Sequence, residues 1–134
     1  MLARAWKQGI EVERQVLVPE ALPFPDTELC AVMMNLLQNA LDAIALAPEG
    51  ARKWMRIDLY IRGVHLYIGV ENSRFAPVDY DGESGLCRTT KADKSAHGYG
   101  LKAVRAVARK YHSELVLQFP EGSFSAATAL QMPD

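Results

Sequence analysis

Two asparagines four residues apart are the side chains of this sequence that most suggest chemistry. Asn35 and Asn39 lie in an apolar run from Asp26 to Leu46, where Glu28 and Asp42 share their stripe of a helix with 3.6 residues per turn. Asparagine costs a helix up to about 0.7 kcal/mol relative to alanine, so two on one face suggest a polar ligand. The amide oxygen suits Mg²⁺, which takes few protein oxygens and completes its shell with phosphates and water. The alternative is an exposed helix face that simply holds two asparagines.

Apolar residues on the other side of this run predict that the helix is buried along one face. They recur at three- and four-residue spacing, and Asp26 follows Pro25 in a position to cap the first turn. The predicted core positions are Leu29, Val32, Met33, Leu36, Leu37, Ala40, Leu41 and Ile44.

A glycine pair marks a second candidate site, at the predicted start of another helix. Gly98 and Gly100 precede an amphipathic run from Leu101 to Tyr111, and glycines there let a backbone approach an anion with free N–H groups. The segment 76–96 before them has no regular pattern and is predicted to be a functional lid or a disordered insertion. Its basic residues, Arg88, Lys91 and Lys94, are suited to phosphates or are simply solvated.

The glycine pair also fits a dinucleotide-binding fingerprint formally, since residues 98–103 read GYGLKA. That fingerprint must directly follow a buried strand, whereas the polar residues 91–96 come first. The sequence therefore disfavours a dinucleotide fold.

Alternating residues predict five strands around the two helices. They are Ile10–Val18, a hairpin of Trp54–Arg62 and His65–Val70, and a hairpin of Glu114–Phe119 and Ser123–Met132. This order predicts an α+β fold, a two-layer α/β sandwich with a mixed, mostly antiparallel sheet and helices on one face.

Composition narrows the functional class. The chain has 134 residues and a formal charge of −1, from 15 basic and 16 acidic side chains. This balance lacks the basic excess of a nucleic-acid or membrane-surface protein. No run reaches the roughly 18 to 20 apolar residues of a membrane span, and no secretory signal is recognisable, so we expect a cytoplasmic location. Cys30 and Cys87 are predicted to be free thiols, and no Cys/His spacing suggests zinc.

Two segments together resemble the GHKL (Bergerat) ATP-binding family, which includes sensor histidine kinases, gyrase-type topoisomerases, Hsp90-type chaperones and anti-sigma kinases. NLLQNALDA, residues 35–43, resembles the N box, and HGYGLKAVRAVARKY, residues 97–111, resembles the second glycine box. The chain is most similar to sensor histidine kinases of the quorum-sensing type, with an eroded first glycine box. Asn72-Ser73-Arg74-Phe75-Ala76 stands where the family has DxGxG, with Asn72 in place of the adenine-reading aspartate.

The resemblance implies a nucleotide site with ATP and Mg²⁺ as cofactors. Asn39 would be the catalytic magnesium ligand, Asn35 a neighbouring polar contact to the nucleotide and metal, and Asp42 would face the nucleotide. Lys91, Lys94 and His97 would belong to an ATP lid. Gly98, Gly100 and Leu101 would bring the second helix to the phosphates.

The same resemblance implies a protein histidine kinase in a two-component signalling system. Mg-ATP would be positioned for γ-phosphoryl transfer to a histidine on a separate dimerisation domain, because His65, His97 and His112 lack the acidic neighbour of a phosphoacceptor. Residues 1–9 would be the tail of that dimerisation region and residues 10–134 the catalytic domain.

A response regulator would be the downstream partner, with no nucleic-acid partner and no direct membrane contact. The domain would be the cytoplasmic part of a membrane-bound sensor. Two alternatives stay open: an anti-sigma-type serine kinase and a degenerate GHKL interaction module without nucleotide turnover.

Overall fold

The computed structural model describes residues 8–78, 80–81, 86–87 and 94–133, with backbone alone for 80–81, 86–87 and 94–99. Five strands form one mixed sheet in the order β1-β2-β3-β7-β6, and β4 pairs with β5 apart from it. The elements in chain order are β1 (Glu11–Leu17), α1 (Asp26–Ile44), β2 (Trp54–Arg62), β3 (His65–Ser73), β4 (Tyr80–Asp81), β5 (Leu86–Cys87), α2 (Lys94–Lys110), β6 (Val116–Gln118) and β7 (Ser123–Gln131).

The predicted two-layer α+β sandwich is confirmed. Within the main sheet β1 runs parallel to β2 and every other neighbouring pair is antiparallel. Alternate residues of β3, namely Leu66, Ile68 and Val70, are buried beneath the helices, as period-two alternation requires. Among the described residues, no helix is both long and apolar enough to span a membrane.

Helix α1 forms where the sequence predicts it, although its two ends differ from the prediction. The carbonyl of Pro25 accepts hydrogen bonds from the Glu28 and Leu29 N–H groups at 3.0 and 3.2 Å, which makes Pro25 the N-cap residue. Asp26 is therefore the first helical residue and makes no capping hydrogen bond, so the predicted cap is wrong. Its charge lies beside the positive end of the helix dipole instead. The helix ends at Ile44, and Leu46 beyond it is 62% exposed.

Helix α2 begins earlier than the sequence predicts. It starts at Lys94 and not at Leu101, so Gly98 and Gly100 lie more than one turn inside the helix, and their predicted place at its start is wrong. A helical glycine costs only about 1 kcal/mol relative to alanine, which packing against a neighbouring helix readily offsets. The β4–β5 pair also lies within the segment predicted to lack regular structure.

The carboxyl end of α2 is closed by a left-handed residue. His112 has φ of 57°, and the Ser113 N–H donates to the Ala108 carbonyl at 2.9 Å. These features form a Schellman motif, in which a residue outside the helix satisfies its last carbonyls. His112 therefore ends the helix.

Helices α1 and α2 are tied together where α1 begins and α2 ends. Lys110 Nζ donates to Glu28 at 2.7 Å, the Tyr111 hydroxyl donates to the same carboxylate, and the Tyr111 ring meets Phe24 edge-on at 4.8 Å. The hydrogen bond from Lys110, followed by that from Tyr111, lowers the pKa of Glu28 from its ordinary value of 4.5. Glu28 is thus a structural member of the polar stripe of α1.

We expect the replacement Glu28→Gln to lower the free energy of unfolding at pH 7, with a difference from wild type that shrinks in acid. The folded-state pKa of Glu28 is depressed, so its stabilisation is complete above 4.5 and is lost as the pH falls through the folded value. Urea midpoints between about pH 3 and pH 7 measure this dependence. Glu49→Gln, at an exposed turn after α1, is the matched control. A Glu28→Gln difference that stays constant with pH would contradict this assignment.

Candidate functional site

Three elements bring the predicted polar residues to one end of the sandwich. Glu28 of α1 contacts Lys110 at the carboxyl end of α2. The neighbouring Tyr111 carbonyl accepts a hydrogen bond from the Gln131 N–H. Gln131 in turn pairs with His65 at the start of β3. The second half of α1, the first half of α2 and the last residues of β3 therefore lie together at the opposite end of the sandwich. Asn39, Asp42 and Asn72 all belong to these segments.

Asn39 offers an uncommitted amide at this end. It is half-buried, with buried residues before and after it in α1, and its side chain makes no hydrogen bond to any residue that the structure describes. Leu36 and Ala40 beside it are buried against the sheet, which fixes the direction of the helix face that carries Asn39. An amide oxygen that has no partner among the described residues and lies on a packed helix can coordinate a hard cation.

The two other polar residues of the stripe are engaged with the protein. Asp42 accepts a hydrogen bond from Gln38 Nε2 at 2.8 Å. Asn35 Nδ2 donates to the Ala31 carbonyl at 2.7 Å, and its Oδ1 lies 3.2 Å from the position that a Cβ would occupy at Gly100. Asn35 thus faces α2.

Asn72 is the most deeply placed of the predicted site residues. It is 1% exposed and lies on the helix-facing side of β3, between Met55 of β2 and Phe124 of β7. Its Nδ2 donates to the Ser73 carbonyl at 2.9 Å, while its carbonyl oxygen accepts no hydrogen bond from the described residues. The amide is therefore oriented by the protein and presents an acceptor.

Arg74 is a structural residue of the site end that sequence reasoning missed. Its guanidinium donates to the carbonyls of Ser123, Ala76 and Pro120 at 3.0, 3.1 and 2.9 Å, and its backbone N–H donates to Gly122 at 2.9 Å. Two of these partners are 46 and 49 positions away. Every residue has a backbone carbonyl, so no sequence pattern predicts which carbonyls Arg74 will contact. Arg74 fastens the chain after Asn72 to the β6–β7 turn.

The remaining predicted residues are dispersed. Lys91 lies outside the described residues, and Lys94, His97 and Gly98 lie in the first turns of α2, where the structure gives only the backbone. Leu101 is 1% exposed and belongs to the hydrophobic core, from which it fixes α2 against α1. The free N–H groups of α2 are those of its first four residues, Lys94 to His97.

The amide oxygen of Asn39 is a type of ligand that Mg²⁺ accepts. The described residues contain no group of three His, Cys, Asp or Glu side chains that could hold a metal ion. Magnesium in nucleotide sites typically takes one or two protein oxygens and several from phosphates and water. A single unpaired amide at Asn39 is compatible with that arrangement.

The chain belongs to the GHKL family, because the model of the GHKL domain matches residues 26–131. No protein of curated function matches the sequence significantly.

Solved structures show the same fold in histidine kinases. The catalytic domain of histidine kinase ThkA has a TM-score of 0.73 and 17% identity, and the match covers 99% of this chain and 87% of that one. The histidine kinase domain from the Erythrobacter litoralis EL346 blue-light activated histidine kinase has a TM-score of 0.69 and 16% identity, covering 98% of this chain and 60% of that one. Acinetobacter baumannii histidine kinase AdeS has a TM-score of 0.67 and 12% identity, covering 99% and 59%. This chain therefore spans about 60% of the length of the last two.

We expect Arg74→Ala to lower the free energy of unfolding by about 2 kcal/mol, because three backbone carbonyls lose a charged donor. Arg74→Lys should recover little of this loss, since one ammonium group cannot reach all three carbonyls. Urea denaturation of both variants measures the effect. The control is Arg62→Ala on the exposed end of β2, for which a change within about 0.5 kcal/mol is expected. Equal stabilities of Arg74→Ala and Arg62→Ala would show that these hydrogen bonds contribute nothing.

Proposed function

We propose that this chain is the ATP-binding catalytic domain of a two-component sensor histidine kinase. The observation that carries the proposal is the half-buried Asn39 amide, which has no partner among the described residues and lies at the end shared by Asn72 and the start of α2. Membership of the GHKL family and the fold shared with histidine kinase catalytic domains support it.

Asn72 would read the base. Its carbonyl oxygen is directed by the hydrogen bond from its own Nδ2 to Ser73, so it can accept a hydrogen bond from the exocyclic amine of adenine. Guanine presents a carbonyl oxygen at the equivalent position, which an acceptor repels. The buried apolar side chains of Met55 and Phe124 flank Asn72 and exclude water from this contact.

Asn39 and the start of α2 would hold the polyphosphate. Asn39 would supply one oxygen to bound magnesium, which neutralises phosphate charge and orients the γ-phosphoryl group. The free N–H groups of Lys94 to His97 and the helix dipole favour anions, and the charges of Lys91 and Lys94 add to that field. Phosphoryl transfer depends mainly on this positioning and charge neutralisation.

The acceptor would be a histidine of a separate dimerisation domain, for which residues 1–9 would form the connection. His65 lies in β3 in register with Arg62 and Gln131, and His112 closes α2, so neither is placed as an acceptor at the site end. A response regulator would then receive the phosphoryl group. The domain would lie in the cytoplasm, where ATP is supplied.

Asn39→Ala should remove the magnesium-dependent part of nucleotide binding and weaken the affinity at least tenfold, about 1.4 kcal/mol. Calorimetric titration with a non-hydrolysable ATP analogue, with magnesium and then with EDTA, measures this change. Met34→Ala is the matched control, because Met34 is on the same helix and is 52% exposed. Magnesium-dependent binding that survives Asn39→Ala would remove Asn39 from the site. A wild-type protein that binds no nucleotide would favour a degenerate interaction module.

Asn72→Ala should reduce discrimination between adenine and guanine nucleotides about tenfold, because the site loses the acceptor that favours one and disfavours the other. The ratio of the dissociation constants for ATP and GTP analogues measures this change. Loss of the Ser73 hydrogen bond lowers stability too, but a ratio taken on one folded variant does not depend on that loss. An unchanged ratio would mean that the base is read elsewhere.

A further inference from the structure

Asn35 of α1 lies so close to Gly100 of α2 that a side chain at position 100 would be in tight contact with it. A Cβ at Gly100 would lie 3.2 Å from Asn35 Oδ1 and 3.7 Å from its Cβ and Cγ. The first distance is shorter than ordinary van der Waals contact. A methyl group at position 100 would therefore require the Asn35 side chain or α2 to shift by a few tenths of an ångström.

The Asn35 side chain is held in this orientation by its own helix. Its Nδ2 donates to the Ala31 carbonyl at 2.7 Å, which fixes the amide plane and leaves Oδ1 against the Gly100 backbone. The amide group of Asn35 therefore lies between the two helices.

This contact lies between the Glu28–Lys110 hydrogen bond, which joins the two helices, and the candidate site. Glu28 with Lys110 holds the helices at the far end, and Asn35 with Gly100 holds them two turns further along α1. Asn39 follows one turn after Asn35, and the first turn of α2 follows on the other side of Gly100. The distance between those two features depends on how closely α2 approaches Asn35.

We propose that Asn35 is a positioning residue whose side chain sets the approach of the amino-terminal half of α2 to α1. It thereby places the free N–H groups of α2 relative to Asn39. This inference rests on the proposed function, and it gives Asn35 a part other than the direct nucleotide contact that the family resemblance implies.

A double-mutant cycle of Gly100→Ala and Asn35→Ala tests the contact without any ligand. In the wild-type background Gly100→Ala should lower Tm by about 3 °C, because the added methyl group meets Oδ1. In the Asn35→Ala background the same change should raise Tm by about 3 °C, because alanine is the better helix former where its methyl group has room. Additive effects of the two substitutions would overturn the proposal, whether or not the protein binds nucleotide.

Binding of a magnesium-loaded, non-hydrolysable ATP analogue to the same four proteins tests the positioning role. Gly100→Ala should weaken binding about tenfold, and adding Asn35→Ala should restore most of that loss. Asn35→Ala alone should retain the magnesium dependence that Asn39→Ala removes. If Asn35 contacts the nucleotide directly, the double variant will bind more weakly than either single variant, and the proposal is wrong. A wild-type protein that binds no nucleotide overturns the proposed function alone, since the Tm cycle is read without ligand.

Discussion

Burial of one face of α1 against the sheet is the interaction on which the rest of the structure depends. Val32, Leu36, Ala40 and Ile44 are each 1% exposed or less, and they recur along a single stripe. Rotating the helix to turn Asn39 elsewhere would expose side chains such as Leu36, whose burial contributes about 1.5 to 3 kcal/mol. The packing that stabilises the fold therefore also sets the direction of the candidate metal ligand.

The sequence predicts most of the fold because an element with one buried face has apolar residues at regular spacing. Alternation in β2, β3 and β7 and the three-to-four spacing of α1 each follow from one covered face, and each element is found within a few residues of its predicted range. The start of α2 has no such spacing. Its glycines are locally typical of a helix boundary, but Gly100 lies inside the helix and faces Asn35, a residue far away in the sequence.

For the candidate site, likewise, the sequence predicts the residue types but not their hydrogen-bond partners. The asparagines at positions 35, 39 and 72 stand out in the sequence because a helix interior and a strand end otherwise disfavour them. Whether each of these side chains is free depends on its hydrogen bonds to main-chain carbonyls. Asn35 donates such a bond to Ala31, and Asn72 donates one to Ser73. Such bonds depend on backbone geometry and not on the identity of the accepting residue, so the sequence does not reveal them.

The parallel pairing of the edge strand β1 with β2 joins segments that are far apart in the chain. Glu11 at its start is bound by Arg52 at 2.9 Å across 41 positions of chain, and the 19 residues of α1 lie within the intervening segment. Closing a loop of that length costs more chain entropy than closing the short β2–β3 turn, and formation of α1 shortens the distance to be closed. We therefore expect the pairing of β2 with β3 to cost less chain entropy than the pairing of β1 with β2. Because β1 is an edge strand that pairs only with β2 in the described sheet, its place in the fold depends on this one long-range pairing.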